Sequence, residues 1–478
     1  MTTESQNVLQ HQAQQLKKLT QHWQRRLAAS SQAAYVLIAD LIAEDIKSGR
    51  LTPKDRLPTL RELAERLELD YTTVARAYSE AKKRGLIDSR PGMGTFVRGS
   101  SPTVPLRGGS AAEMTMNLPP EPALPLLLAR MHKSAAELMS QSNLPHLLRY
   151  QDFGGLPEDK EAAVLWLKQR LPLCSDTRVL VCPGIHSALA ALISQLARPG
   201  EAICVESLTY PGIKAIATQL SVQLHALTID EEGPSAAEFE LACKTIKPKA
   251  LYCNPTLLNP TTLSITKRRR EALADIALRY NVPIIEDDAY AMLPRHQPPP
   301  LAELAPELTY YITGLSKFLG AGLRTAYVYG PSEKQILRLA GTLRATTVMA
   351  SPITTAIGSE WVIQGIAKEM LDAVREESMT RQMLAKKILR NFSYSAQIEG
   401  FHLWLPLPSQ WSAQEFASIM RNKGVGVVSA AAFCTNGEPP DAVRVSLGGP
   451  QSQAECEHSL KLIAATLQSS PHSDVTAI

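Results

Sequence analysis

Five stretches of this 478-residue chain set reactive side chains just beyond apolar, β-branched runs. Cys182-Pro183-Gly184-Ile185-His186-Ser187-Ala188-Leu189 reads as strand, turn and helix, a junction whose free N–H groups and helix dipole suit a phosphate. Glu206-x-x-Thr209-Tyr210-Pro211-Gly212 offers an aromatic ring at a strand end, and Asn259-Pro260-Thr261-Thr262 an amide in a turn. Glu286-Asp287-Asp288-Ala289-Tyr290 puts carboxylates and a phenol directly after Ile284-Ile285. The fifth stretch, Thr313 to Arg324, carries an amine, Lys317, between Ser316 and a downstream arginine. Open α/β sheets gather ligands beyond their strand ends. Singly these signals are modest, because a lone tyrosine there usually packs and an Asp pair often closes a turn.

The elements that must hold these loops are legible as alternating short strands and helices. Runs at 178–181, 202–205, 249–252, 282–285, 308–312 and 325–329 alternate with helical segments, which predicts an α/β fold with a largely parallel sheet. Residues 179–197 hold no acid or base, but Pro183, Gly184 and His186 make them a buried strand turning into a helix, not a membrane span. From about 370 to 470, helices alternate with strands at 401–405, 426–428 and 443–445, a small α+β appendage.

The first hundred residues differ. Helical patterns cover about 33–48, 60–67 and 71–84, and a basic hairpin with a glycine turn follows at 86–98. Three helices and a hairpin in so short a span predict a winged helix-turn-helix. Residues 1–100 carry 16 Lys/Arg against 11 Asp/Glu, whereas the other 378 carry 34 against 35. The positive surplus therefore sits where a polyanion would be met. Residues 99–113 are rich in Ser, Pro and Gly and read as a flexible linker. The expected order is an extension (1–32), the winged helix (33–98), the linker (99–113), an α/β body (114–470) and a tail (471–478).

Hydrophobic residues make up 45% of the chain, enough for large cores, and the start shows no secretory signal. The seven cysteines form no Cys-x-x-Cys pair and predict buried thiols of a reducing cytoplasm, with no metal site. No membrane segment is expected.

Leu57-Pro58-Thr59-x-Arg61-Glu62-Leu63-Ala64, Thr72-Thr73-Val74-x-Arg76-Ala77-Tyr78 and Gly92-x-Gly94-Thr95-Phe96-Val97 resemble the DNA-binding domain of GntR-type bacterial regulators. That resemblance implies contacts to double-stranded operator DNA from Arg61, Tyr71, Thr72, Thr73 and Arg76, with Gly92 and Gly94 letting the wing approach. The plainer alternative makes Arg61 and Arg76 surface charges paired with Glu62 or Glu80.

In order and spacing, the five loops of the body resemble the fold-type-I aminotransferases, which use pyridoxal 5′-phosphate (PLP). The resemblance implies that Lys317 forms the Schiff base, Asp287 keeps the pyridine nitrogen protonated, and Tyr210 stacks on the ring. Asn259 and Tyr290 would bond the ring oxygen. Ser316, Arg324 and the backbone of Gly184, Ile185 and His186 would hold the phosphate, and Arg444 would clamp a carboxylate. Tyr150 would reach the phosphate from a partner subunit, which requires a homodimer. Rival lysines are Lys214 and Lys249, which lack the downstream arginine. The chain departs from the family pattern at Thr262 (commonly glycine), Gly314 (commonly a hydroxyl residue) and Ile185 (commonly serine).

A GntR-like module ahead of an aminotransferase-like body resembles the MocR-type regulators over nearly the whole chain. It implies a cytoplasmic, PLP-dependent transcription regulator that senses PLP or an amino-compound effector, with modules able to swap between subunits. The alternative is a working aminotransferase with an appended DNA-binding module.

Overall fold

The computed structural model describes residues 20–28, 30, 32–47, 50–51, 55–84, 86–90, 94–97, 114–140 and 143–469. The chain forms two compact units, 1–109 and 110–478. The linker expected at 99–113, Gly92 of the wing and the tail lie outside the described residues.

The first unit contains helices α1 (Ala34–Lys47), α2 (Leu60–Leu67) and α3 (Tyr71–Lys83), then an antiparallel hairpin of β1 (Ile87–Arg90) and β2 (Gly94–Val97). Thr59 starts α2 with a capping box: its hydroxyl accepts from the Glu62 N–H, and the Glu62 carboxylate accepts from the Thr59 N–H at 2.8 Å. The Tyr78 hydroxyl donates to the Pro58 carbonyl at 2.8 Å, tying α3 to the start of α2. A helical segment at 20–28, which the sequence reading leaves in the extension, belongs to this core. Trp23 is fully buried there, and its indole N–H donates to Asp45 at 2.6 Å.

The second unit is built on a seven-stranded sheet. Its strands are β3 (Val179–Cys182), β4 (Ala202–Glu206), β5 (Gln223–Leu227), β6 (Leu251–Cys253), β7 (Ile284–Asp287), β8 (Thr309–Gly314) and β9 (Ala326–Tyr329). Their spatial order is β3-β9-β8-β7-β6-β4-β5. The pairs from β8 through β5 are parallel, whereas β9 runs antiparallel to both neighbours. β5 escapes the sequence reading because Gln223-Leu224-His225-Ala226-Leu227 is a half-exposed edge without a β-branched run. Strands β3, β6, β7, β8 and β9 are buried at every position, as runs covered on both faces must be.

The appendage forms an antiparallel sheet in the order β10 (Ser395–Ala396), β11 (His402–Pro406), β13 (Ala442–Ser446), β12 (Val428–Ser429). Helices Ile366–Ile388, Ala413–Asn422 and Gln453–Gln468 accompany it, and it keeps its own apolar core around Trp411, Phe416 and Leu460. All seven cysteines are free, six of them buried. Among the described residues, no helix is long and apolar enough to cross a membrane, and no cluster of metal-ligating side chains occurs.

Candidate functional site

The topology brings the predicted loops to one edge of the large sheet. Gly184, Tyr210 and Lys317 follow β3, β4 and β8, and Asp287 ends β7. Because β9 runs the other way, its first turn lies at that same edge, and so does Arg324 just ahead of it. Arg444 arrives from β13 of the small sheet. Together they line a cavity of about 420 Å³ that includes Ile185, His186, Tyr210, Asn259, Asp287, Tyr290, Ser316, Lys317, Arg324 and Arg444.

One end of the cavity suits an anion. Helix Ile185–Leu196 begins at Gly184 (φ +94°) without a side-chain cap, leaving its first N–H groups open. An ideal Cβ on Gly184 would lie 2.8 Å from the Arg324 guanidinium, so the glycine is needed for that approach. Arg324 makes no ion pair among the described residues; burial and then the Arg324 charge lower the His186 pKa. A Cβ on Gly314 would meet Ala326 Cβ and the Thr325 carbonyl at 3.2 Å, which leaves little room for the hydroxyl residue common there.

The other end holds the ionisable groups. The Tyr252 hydroxyl donates to Asp287 Oδ2 at 2.8 Å, while Asp287 Oδ1 is buried with no partner among the described residues. Burial raises the Asp287 pKa to about 6, opposed by the Tyr252 bond and by Lys317. Asp288 faces the other way, 3.9 Å from Arg170. Lys317 Nζ lies 5.1 Å from the Tyr290 ring centre. Burial and then the Arg444 charge lower its pKa to about 8, against the pull of Asp287. The rival lysines are elsewhere: Lys214 donates to the Ala432 carbonyl at 3.1 Å, and Lys249 pairs with Glu201 at 3.3 Å. Arg444 Nη1 donates to Asn259 Oδ1 at 2.9 Å, so two residues that the resemblance assigns separate tasks touch directly. The Tyr210 ring folds over Gly212, where a Cβ would come within 2.2 Å of it. Tyr150 does not enter this cavity; it is 82% exposed beside Leu148, Arg149 and Met349.

Several lining groups escape the sequence reading. Asn254 Nδ2 donates to the Asp287 carbonyl at 2.6 Å, and its N–H donates at 2.6 Å to Glu206, whose pKa burial raises to about 7. A second Asn-Pro-Thr at 254–256 was the available signal. Asn117 Nδ2 donates to the Tyr290 hydroxyl at 2.8 Å and lies 3.3 Å from His402 Nδ1. Burial, Arg444 and Lys317 push the His402 pKa down to about 3, so the ring is neutral. Nothing in the local sequence marks Asn117 or His402.

In the first unit, Arg61, Tyr71, Thr72 and Arg76 are exposed and Thr73 is half-buried, while Val74, Ala77, Tyr78 and Ala81 of the same helix are buried. The carboxylates offered by the plainer alternative are engaged elsewhere: Glu62 closes the capping box and Glu80 pairs with Arg84 at 2.8 Å. The Arg76 guanidinium instead lies 4.3 Å above the Tyr35 ring. Gly94 (φ +112°) sits against Arg56, whose Nε would be 2.9 Å from a Cβ there.

Residues 123–463 match the family model for aminotransferase class I and II, and residues 34–97 match that for bacterial regulatory proteins of the gntR family. The uncharacterized HTH-type transcriptional regulator YdeF of Bacillus subtilis is 29% identical over 93% of this chain and 96% of its own. The vitamin B6 salvage pathway transcriptional repressor PtsJ of Salmonella typhimurium is 27% identical over 86% of this chain and 93% of its own. Among solved structures, the α-aminoadipate aminotransferase LysN of Thermus thermophilus, complexed with N-(5′-phosphopyridoxyl)-L-leucine, superposes with a TM-score of 0.69. It covers 75% of this chain and 92% of its own at 21% identity.

Proposed function

From a chain that belongs to the aminotransferase class I and II family and carries a gntR-type module ahead of that body, we propose a PLP-dependent transcription regulator whose large unit senses PLP or an amino-compound effector. The observation that carries this reading is one cavity holding an amine of lowered pKa, a buried carboxylate and an arginine, in a chain whose relatives over nearly full length bear the name HTH-type transcriptional regulator.

The residues fit the cofactor. The bare start of helix Ile185–Leu196, Gly184 and Arg324 form a cradle for a phosphate, with Ser316 beside it. Asp287 Oδ1, buried and unpartnered among the described residues, is the acceptor a protonated ring nitrogen requires. PLP supplies an aldehyde that captures amines and a ring that accepts electron density. Lys317 provides the amine. With its pKa lowered to about 8, about a tenth of it is neutral and nucleophilic at pH 7, far more than of an ordinary lysine. Tyr252 keeps Asp287 oriented, Tyr210 covers one ring face, and Asn259 and Tyr290 bond the ring oxygen. Arg444 takes the effector's carboxylate. Tyr150, exposed on its own subunit, serves a partner's site in a homodimer. Arg61, Tyr71, Thr72, Thr73 and Arg76 meet the operator.

An absorbance titration of the full chain with PLP and then with amino acids, repeated with operator-bearing upstream DNA, tests this reading. Cofactor uptake with altered DNA affinity is expected. Sustained turnover with a 2-oxo acid at the roughly 10 per second typical of enzymes would overturn it in favour of a working aminotransferase.

A further inference from the structure

The segment that leads from the first unit's sequence into the second enters the cavity itself. Thr115, Met116, Asn117 and Leu118 line it. Arg444 Nη2 donates to the Thr115 carbonyl, and Lys317 Nζ donates to the Asn117 carbonyl at 2.7 Å. Asn117 is buried, and its side-chain amide is fixed between Tyr290 and His402. Behind it, the Leu118 carbonyl sits so close to Gly448 that a Cβ there would lie 1.8 Å from it. The two cationic groups that an amino-acid effector and an aldehyde cofactor would engage are therefore held by two main-chain carbonyls, two residues apart.

A carboxylate outcompetes a neutral carbonyl for a guanidinium, because it carries a full charge and accepts two parallel N–H bonds. We propose that residues 115–118 form a strap occupying the effector's place, and that a carboxylate-bearing amine releases it by taking Arg444 from Thr115. The proposal rests on the cofactor reading above and specifies how that site is regulated.

Lys317 is the second hold. Formation of a C=N bond between its Nζ and an aldehyde carbon, with the aldehyde oxygen leaving as water, removes the hydrogens that the Asn117 carbonyl accepts. Cofactor alone thus loosens the 117 end of the strap, and a carboxylate loosens the 115 end. An amine without a carboxylate leaves Thr115 held. Upstream, Met114 is fully buried in the core of the small sheet and its carbonyl accepts from the Ser446 N–H, so release frees residues 115–118 from the cavity while the chain stays anchored at 114.

Two stable adducts differing only in the carboxylate test this: N-(5′-phosphopyridoxyl)glycine and N-(5′-phosphopyridoxyl)methylamine, each added to the full chain. Hydrogen exchange is read across 115–118, including the Leu118 N–H that donates to the Met116 carbonyl. The glycine adduct is expected to speed exchange there at least tenfold over the methylamine adduct, while both protect residues 185–186. Arg444→Gln is expected to speed it with no adduct present. Binding of both adducts without a difference at 115–118 overturns the strap and leaves the cofactor reading intact. Wild-type exchange in Arg444→Gln also overturns it. Failure of either adduct to raise the thermal midpoint or protect 185–186 overturns the cofactor reading and the strap with it.

Discussion

The two units carry their candidate sites in opposite ways. In the winged helix, Arg61, Tyr71, Thr72 and Arg76 stand in solvent within sixteen residues of one another, on an apolar core that uses none of them. In the large unit the candidates run from Asn117 to Arg444, and many are buried and held by one another: Asp287 by Tyr252, Asn259 by Arg444, Tyr290 by Asn117. A site of exposed, independent contacts loses affinity in increments. A buried network fails as a unit, because removing one member strands another.

The largest effect expected from this contrast is all-or-none. Lys317→Ala abolishes the visible absorbance of the PLP imine, while DNA affinity measured without PLP stays within about twofold of wild type, since without the cofactor nothing is bound to signal and the substitution touches none of the DNA-facing residues of the other unit. Borohydride reduction and peptide mapping check the attachment; label elsewhere would break the comparison. In the wild type, capture should accelerate as pH rises through about 8, where the lowered pKa releases the Lys317 proton, with the neutral amine as the reacting form.

Next is a core residue of the smaller unit. Trp23→Ala removes a fully buried indole and its bond to Asp45, a loss of about 3–5 kcal/mol for large core truncations. Hydrogen exchange across Ala34–Lys47 in the full chain should speed by roughly a hundredfold or more, with the large unit unchanged. Unchanged exchange at 34–47 would mean that 20–28 is an appendage and not part of this core.

That residue also marks where the sequence stops being readable. Periodicity sufficed for α1, for the strands from β3 to β9 other than β5, and for the small sheet apart from the short β10, because each buried run carries its own pattern. The motif loops were legible because strand ends are where an α/β sheet must expose them. Asp287 was separable from Asp288 by the family spacing to Tyr290, and the structure turns only Asp287 into the cavity. Trp23 follows a Gln-rich stretch, and Asn117 abuts a Ser-, Pro- and Gly-rich one, so neither belongs to a periodic run. The partners of Asn117, Tyr290 and His402, lie 173 and 285 residues away. Only tertiary closure, to which local composition is blind, creates such contacts.

A graded effect belongs to the DNA face. Arg76→Ala should weaken operator binding and lower the slope of log affinity against log salt by about one, as loss of a single phosphate contact does, leaving PLP binding untouched. An unchanged slope would confine Arg76 to its stack on Tyr35.

The smallest expected effect probes a departure of the large unit from its family. Thr262 stands where a glycine is common, and it adopts φ +66° while 3% exposed, with its N–H donating to the Leu258 carbonyl at 2.8 Å. A β-branched residue in the left-handed region is strained, by about 1–3 kcal/mol. Glycine would relieve that strain, but it loses the packed methyl and costs roughly 0.5–1 kcal/mol in the unfolded chain's entropy. Thr262→Gly should therefore fall within about 1 kcal/mol of wild type. The telling measurement is its order against Thr262→Ala, which keeps the strain and loses the packing. Glycine should be the more stable by about 1 kcal/mol in urea unfolding of the full chain, the reverse of their order in a helix. Alanine equal to glycine would show that the turn relaxes out of the left-handed region when the threonine is removed. The Asn259 turn, and with it the hold on Arg444, would then be set by the residue at 262 and not by the fold around it.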